Sequence, residues 1–276
     1  MATVTKTIGA TGRHYSTIVL WDAGLDDASE YDAGDDAVGV CYDDADFDMN
    51  GDITLDGGDL DDGSGDLNVK TLTVAEGHRH DGTAGTGVRV YTSTTAYWRL
   101  YPVATHAIAS ADDPFPYIIE WIDFDGSDEG VNKQMFEFSS QTAGSHATCC
   151  ISNCLLHNHE TRWINATVYD VGMFNNIFYG LGLARNSTSM IGIYKQGRRY
   201  NSYTYNNTFH YVRSGSTNGG ASIQALRQVQ NTTQTKIKNN LSTGHILPNS
   251  SSTAIYGFYA LASKTPFSNT ARYSHN

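Results

Sequence analysis

Two stretches of the chain alternate cleanly between apolar and polar positions, Thr3 to Ile8 and Val69 to Ala75 (Val-Lys-Thr-Leu-Thr-Val-Ala). Alternation of period two marks a strand with one buried face. Further short strands are expected at 37–42, 52–55, 88–91, 97–103 and 117–124, the last reading Tyr-Ile-Ile-Glu-Trp-Ile-Asp-Phe. Gly77 to Gly87 (GHRHDGTAGTG) reads as a turn-rich loop. One short helix is expected to open at Tyr15-Ser16. Ser16 would cap it, Tyr15 and Leu20 would form a hydrophobic staple, and Ile18, Trp21 and Leu25 share one face. Such a helix beside the first strand would cover the open edge of a sheet.

In the second half the pattern becomes a repeat. Ile151-Ser152-Asn153-Cys154-Leu155, Phe174-Asn175-Asn176-Ile177-Phe178, Tyr205-Asn206-Asn207-Thr208-Phe209 and Lys238-Asn239-Asn240-Leu241-Ser242 each set asparagine, usually doubled, beside apolar residues. Taking Asn153, Asn176, Asn207 and Asn240 as equivalent gives spacings of 23, 31 and 33 residues. A repeat of this length signals a stacked array, in which each unit buries its apolar face on a neighbour.

Composition agrees with strands and turns. The 276 residues hold 27 glycines and 17 tyrosines but only five prolines. No run of 18 apolar residues predicts a membrane helix. Met1 to Ala10 lacks the basic start and apolar core of a secretory signal, so synthesis in a cytoplasm is expected. The four cysteines, Cys41, Cys149, Cys150 and Cys154, follow no zinc spacing and are expected to be buried thiols. The net charge of −11 conceals a division: residues 1–130 carry 26 acidic and 6 basic side chains, a balance of −20, and residues 131–276 carry 3 and 12, a balance of +9. An acidic half and a dilute basic half argue against a nucleic-acid partner.

With these features the chain resembles right-handed parallel β-helix proteins. Gly12 to Ile18 followed by Trp21 resembles the segment that caps the first coil in that class, and the Asn-Asn-apolar corners resemble its asparagine ladder. Gly77–Gly87 resembles a loop of phage-encoded β-helix proteins and their bacterial relatives. The resemblance implies an all-β, single-stranded right-handed parallel β-helix with an N-terminal capping strand and short helix. Residues 1–35 would be the cap, 36–262 the β-helix and 263–276 a tail or exit segment. Eight to ten coils would make a rod on the order of 40–50 Å long.

Candidate chemistry is sparse. Asp46, Asp48, Asn50 and Asp52, with Gly51 and Ile53, resemble the first part of a calcium loop, although Gly57 stands where the bidentate glutamate belongs. Asp123, Asp125, Asp128 and Glu129 beside Trp121 could act as the paired carboxylates of a glycosidase or lyase, but Arg198 and Arg199, the only basic pair to serve a lyase, are expected several coils away. His78 with His80, and His157 with His159, are alternating pairs that could hold a metal. Tyr194, Tyr200, Tyr203, Tyr205, Tyr211, Tyr256 and Tyr259 exceed what a core needs and suggest a protein or sugar contact face.

No catalytic site is assigned, and calcium is the only cofactor suggested. The expected function is a structural virion protein of a tailed phage, a capsid decoration or cement protein or a short fibre or spike. Its partners would be the major capsid protein or other virion proteins and copies of itself, plausibly in trimers, with no membrane. A polysaccharide lyase or hydrolase binding glycan is the first alternative. A bacterial surface or filament protein, joined through its opposite charges, is the second.

Overall fold

The computed structural model describes residues 2–49, 51–91, 98–102, 116–126, 134–138, 149–159, 162–166, 171–180, 189–195, 201–210, 222–228, 234–244 and 254–260. Strand β1 (Thr3–Ile8) and helix α1 (Ile18–Gly24) precede seven successive triplets of strands. These are β2 (Asp36–Cys41), β3 (Phe47–Asp48) and β4 (Gly51–Leu55); β5 (Val69–Val74), β6 (Arg89–Tyr91) and β7 (Trp98–Pro102); β8 (Tyr117–Glu120), β9 (Asp123–Asp125) and β10 (Gln134–Phe138); β11 (Cys149–Ser152), β12 (Leu155–His157) and β13 (Arg162–Ala166); β14 (Val171–Phe174), β15 (Ile177–Tyr179) and β16 (Ser189–Lys195); β17 (Asn201–Tyr205), β18 (Thr208–His210) and β19 (Ser222–Gln228); and β20 (Gln234–Lys238), β21 (Leu241–Thr243) and β22 (Ala254–Ala260).

The first strand of every triplet joins one sheet, A, which begins with β1. The second strands form sheet B and the third strands form sheet C, each in chain order. The pairs within all three sheets are parallel. One triplet is therefore one coil, and the coils stack into a parallel β-solenoid. Seven coils stand among the described residues, fewer than the eight to ten expected. The shortfall comes from one long coil: β5 begins at Val69 and β8 only at Tyr117. At about 4.8 Å per coil the stack of strands spans roughly 30 Å.

Alternation decides what fills the interior. Ala37, Lys70, Tyr117, Cys149 and Val171 occupy one inward file of sheet A. In sheet B the inward file is Phe47, Val90, Phe124, Leu156, Phe178 and Phe209. The rings of Phe178 and Phe209 stack with centroids 4.8 Å apart and planes 6° from parallel. That separation equals the strand spacing, so aligned rings ladder without disturbing the backbone. All four cysteines are buried free thiols, as expected.

The cap closes the first coil. Ile18, Trp21 and Leu25 of α1 are buried. Gly39 of β2 has no side chain because Trp21 lies against it; a Cβ there would sit 2.6 Å from the indole. Two expectations for this helix need correction. Its N-cap is Thr17, whose Oγ1 accepts from the Leu20 amide at 3.1 Å, rather than Ser16. Leu20 is 52% exposed and makes no staple. Tyr15 instead lies against Gly24 and donates to Glu30 Oε2 at 3.0 Å.

At the corner between sheets A and B the asparagines form two columns. Asn153, Asn175, Asn206 and Asn239 take the left-handed conformation, with φ of 54°, 57°, 57° and 53°, which asparagine tolerates better than most residues. The next residues, Cys154, Asn176, Asn207 and Asn240, point inward and are buried. Asn207 Oδ1 accepts from both the backbone N–H and the Nδ2 of Asn176 at 2.9 Å. Asn240 Oδ1 accepts in the same way from Asn207, at 2.9 and 3.0 Å. Asn176 Oδ1 takes the N–H of Cys154 at 2.9 Å. The columns are one residue out of step with the expected set, since Asn153 aligns with Asn175 and Cys154 with Asn176.

One coil earlier the left-handed position is held by Trp121, φ 66°. The run from Tyr117 to Phe124, expected as one strand, therefore breaks there into β8 and β9. Because the coils stack in chain order, the acidic early residues lie toward the capped end, and among the described residues Arg162, Lys195, Arg227, Lys236 and Lys238 lie in the last four coils.

Candidate functional site

Alternation turns Phe124 inward and Asp123 and Asp125 to the outer face of sheet B. Outer positions are normally wet, yet Asp123 is 0% exposed and His157 of β12 only 1%. The cover is the loop between β5 and β6. It turns through a short 3-10 segment (Glu76–His78) and lies back over later coils. Gly85 donates its N–H to Asp123 Oδ2 at 2.8 Å, and His80 Nε2 is 2.8 Å from the carbonyl of Asn153. Gly82 reaches Ile177 of β15, which a Cβ would meet at 3.5 Å. Gly87 holds φ of 72° against the backbone of His78 to His80, where any side chain would collide.

Beneath the loop lies a chain of paired acidic and basic side chains. His157 Nε2 is 2.6 Å from Asp123 Oδ1, and its Nδ1 faces Asp125 Oδ1 at 3.5 Å. Asn158 donates to that same Asp125 oxygen at 3.0 Å. Arg89 of β6 grips Asp125 Oδ2 through Nη2 and Nε, at 2.6 and 3.2 Å, and Asp46 lies 3.8 Å from its other side. Tyr179 of β15 stacks flat on the His157 ring, with centroids 4.9 Å apart. Burial works to raise the pKa of Asp125, but His157, Asn158 and Arg89 together hold it below the ordinary carboxylate value. Burial, then Asp123 and Asp125, push the Tyr179 phenol up to about 12.

Chemically this is an imidazole held between two carboxylates, a unit able to move protons if a substrate could reach it. It is closed by the loop above and by Tyr179 alongside. Trp121 anchors the loop: the Arg79 guanidinium lies 4.7 Å from its ring and His80 packs at 6.1 Å. A left-handed backbone is unusual for an aromatic residue, and the stacked Arg79 gives Trp121 a partner there.

A second buried charge lies under the cap. Asp22 of α1 accepts from the amides of Asp56 and Gly57 at 3.0 and 3.2 Å, and Tyr117 Oη is 3.4 Å away. Lys70, inward on β5, donates to the Gly57 carbonyl and lies 5.2 Å from the Tyr117 ring. Burial raises the Asp22 carboxyl to about 6, against the pull of Lys70 and of the two amides.

The structure thus brings Asp123, Asp125 and His157 together. Asp128, Glu129, Arg198 and Arg199 lie outside the described residues. Both His78 and His80 are hydrogen-bonded within the fold: His78 Nδ1 accepts from the Asp43 amide at 3.3 Å, and His80 bonds the Gly82 amide and the Asn153 carbonyl. His159 is buried. Of the calcium candidates, Asp46 and Asp48 are exposed at the β3 corner, while Asn50 and the Asp52 side chain lie outside the described residues. No group of three or more possible metal ligands occurs among the described residues. Of the expected surface tyrosines, Tyr203 and Tyr205 share the outer face of sheet A, with Phe174 5.6 Å from Tyr205 and Lys238 Nζ 5.7 Å from its ring. Tyr200 and Tyr211 lie outside the described residues, and the side chains of Tyr194, Tyr256 and Tyr259 are not among those described.

Arg89, Asn158 and Tyr179 went unread in the sequence. Their signal is the coil period, which carries Asp125 onto His157 and His157 onto Tyr179. The chain matches no known family model and no curated protein.

Proposed function

We propose that this is a structural solenoid that works through rigid, repeated protein–protein contacts. Its specific form, on the resemblance of the cap, corners and loop, is a virion protein of a tailed phage: a capsid decoration or cement protein, or a short fibre or spike. The observation that carries the structural reading is closure. Both buried charge clusters among the described residues are paired internally and shut away, one by the loop over Asp123 and His157, the other by the cap over Asp22 and Lys70. A glycan-cleaving pair must instead meet its substrate. Purified particles should contain the chain at a fixed ratio to the shell protein, measured by quantitative mass spectrometry; absence from particles would end the virion assignment.

The 2.6 Å contact between Asp123 and His157 favours one second reading, a polysaccharide lyase or hydrolase. An enzyme would release reducing ends or unsaturated sugars from a glycan panel, and Asp123→Asn would abolish the release. Calcium at Asp46, Asp48, Asn50 and Asp52 belongs to the same proposal. It predicts a higher melting temperature in millimolar calcium than with chelator, and equal temperatures would remove it.

A further inference from the structure

We propose that residues 79–87 form an acid-released lid over the Asp123–His157 cluster, with His80 as its pin. The loop leaves the second coil and crosses the outer face of the third, fourth and fifth. Among the described residues it meets them through Arg79 on Trp121, His80 on Asn153, Gly82 beside Ile177, and Gly85 on Asp123. Two of these contacts are made by side chains, Arg79 on a ring and His80 on a carbonyl, and the other two by the backbone at Gly82 and Gly85. A segment with so little apolar burial sits at the low end of local stability.

The hydrogen bonds of His80 fix its protonation state. Its Nδ1 accepts from the Gly82 amide at 3.2 Å, so Nδ1 carries no proton. Its Nε2 must then carry the proton and donate to the Asn153 carbonyl. Both bonds need the neutral ring. A second proton would set Nδ1–H against the Gly82 N–H and charge a ring that is 9% exposed.

The charged groups acting on His80 are Asp81 of its own loop and Asp123 of β9. Arg79 stacks on the far contact, Trp121, and Asn153 and Ile177 are neutral. Burial opposes the charged ring and outweighs both carboxylates, so the His80 pKa lies below its ordinary 6.5. The sign follows. The neutral ring contributes its full stability above about 6.5, and that contribution is lost as pH falls through the lower value in the folded protein. Acid therefore loosens the pin and uncovers Asp123 and His157. The device stands under either reading of function.

Hydrogen exchange of the full chain, compared as protection factors at pH 7.5 and 5.0, tests it. Peptides covering 79–88 should lose about tenfold protection at pH 5.0, the scale of one buried hydrogen bond, while those covering 171–179 keep theirs. His80→Gln can still donate to Asn153 but cannot titrate, so its loop should exchange alike at both pH values. Asp123→Asn keeps the pin and should retain the acid response. Equal wild-type protection at both pH values would overturn the proposal. So would an undiminished acid response in His80→Gln, or its disappearance in Asp123→Asn alone.

Discussion

The two ends of the solenoid solve the same problem with different chemistry. Each coil must turn a corner and satisfy the polar groups it buries there. The last coils do so with neutral amides: Asn176, Asn207 and Asn240 bond one another and the Ile151, Met173 and Thr204 carbonyls. The first coils use acidic and basic side chains: Asp22 with Lys70, and Arg89, Asp125, His157 and Asp123. An amide ladder has no protonation state to lose. A buried charge pair is strong only while both members keep their form, and breaking one side leaves the other stranded. The difference is therefore one of condition: the far end should be indifferent to pH, and the capped end should not.

Three substitutions sharpen or break that contrast. Asn207→Ala should have the largest effect. It leaves the Asn176 N–H without its acceptor and removes one hydrogen bond each from Asn176 Nδ2, which keeps the Ile151 carbonyl, from the Met173 carbonyl and from the Tyr205 carbonyl, which keeps the Asn175 N–H. A loss of about 4 kcal/mol is expected in urea unfolding, with the same value at pH 5 and 7.5. A loss below about 1 kcal/mol would show that the ladder is not a main support.

Lys70→Met should cost about 3 kcal/mol at pH 7.5, because it leaves Asp22 buried without its cation. Here the pH dependence has a definite sign. Asp22 is raised from 3.8 to about 6, so between those values the folded chain holds a proton that the unfolded chain has released. Stability from this group is full below 3.8 and is lost as pH rises through about 6. The Lys70→Met penalty should shrink at pH 5, where Asp22 is mostly protonated. A penalty that does not change between pH 5 and 7.5 would contradict the assignment.

The smallest effect is a gain. Cys154 stands in the amide column, and its Sγ contacts the carbonyls of Ile119 and Ser152 at 3.7 and 3.3 Å. Asn207 sends its amide to the equivalent carbonyls of Met173 and Tyr205. Cys154→Asn would extend the ladder by one rung and should stabilise by about 0.5–1.5 kcal/mol. Destabilisation would mean that the fourth coil is too tight for an amide.

These particulars also explain what could be read in advance. The asparagine corners were legible because a left-handed turn followed by a buried amide restricts both positions to a few residue types. The register slipped by one at Asn153 because Cys154 does the work of asparagine without looking like it. The corner at Trp121 was invisible, since Ile-Ile-Glu-Trp-Ile reads as continuous strand, and its backbone is tolerated alongside contacts from a loop about forty residues upstream. Asp123 and Asp125 stood out as acids. Their burial did not, because alternation places them on the outer face and only the path of the glycine loop covers them. Spacing predicts which residues share a file, but not what a long connection will lie upon.

The rungs also give the stack a direction. In each, the oxygen accepts from the coil before, while the nitrogen donates back to a carbonyl of that coil and, in Asn176 and Asn207, also forward to the next asparagine, so every finished corner offers the same donors to the coil that follows. Removing or adding one whole turn would change the length of the rod without changing the chemistry of its growing end. Length is then an adjustable quantity in this architecture, set in steps of one winding, and a chain cut between windings should differ from the parent mainly in how far it reaches.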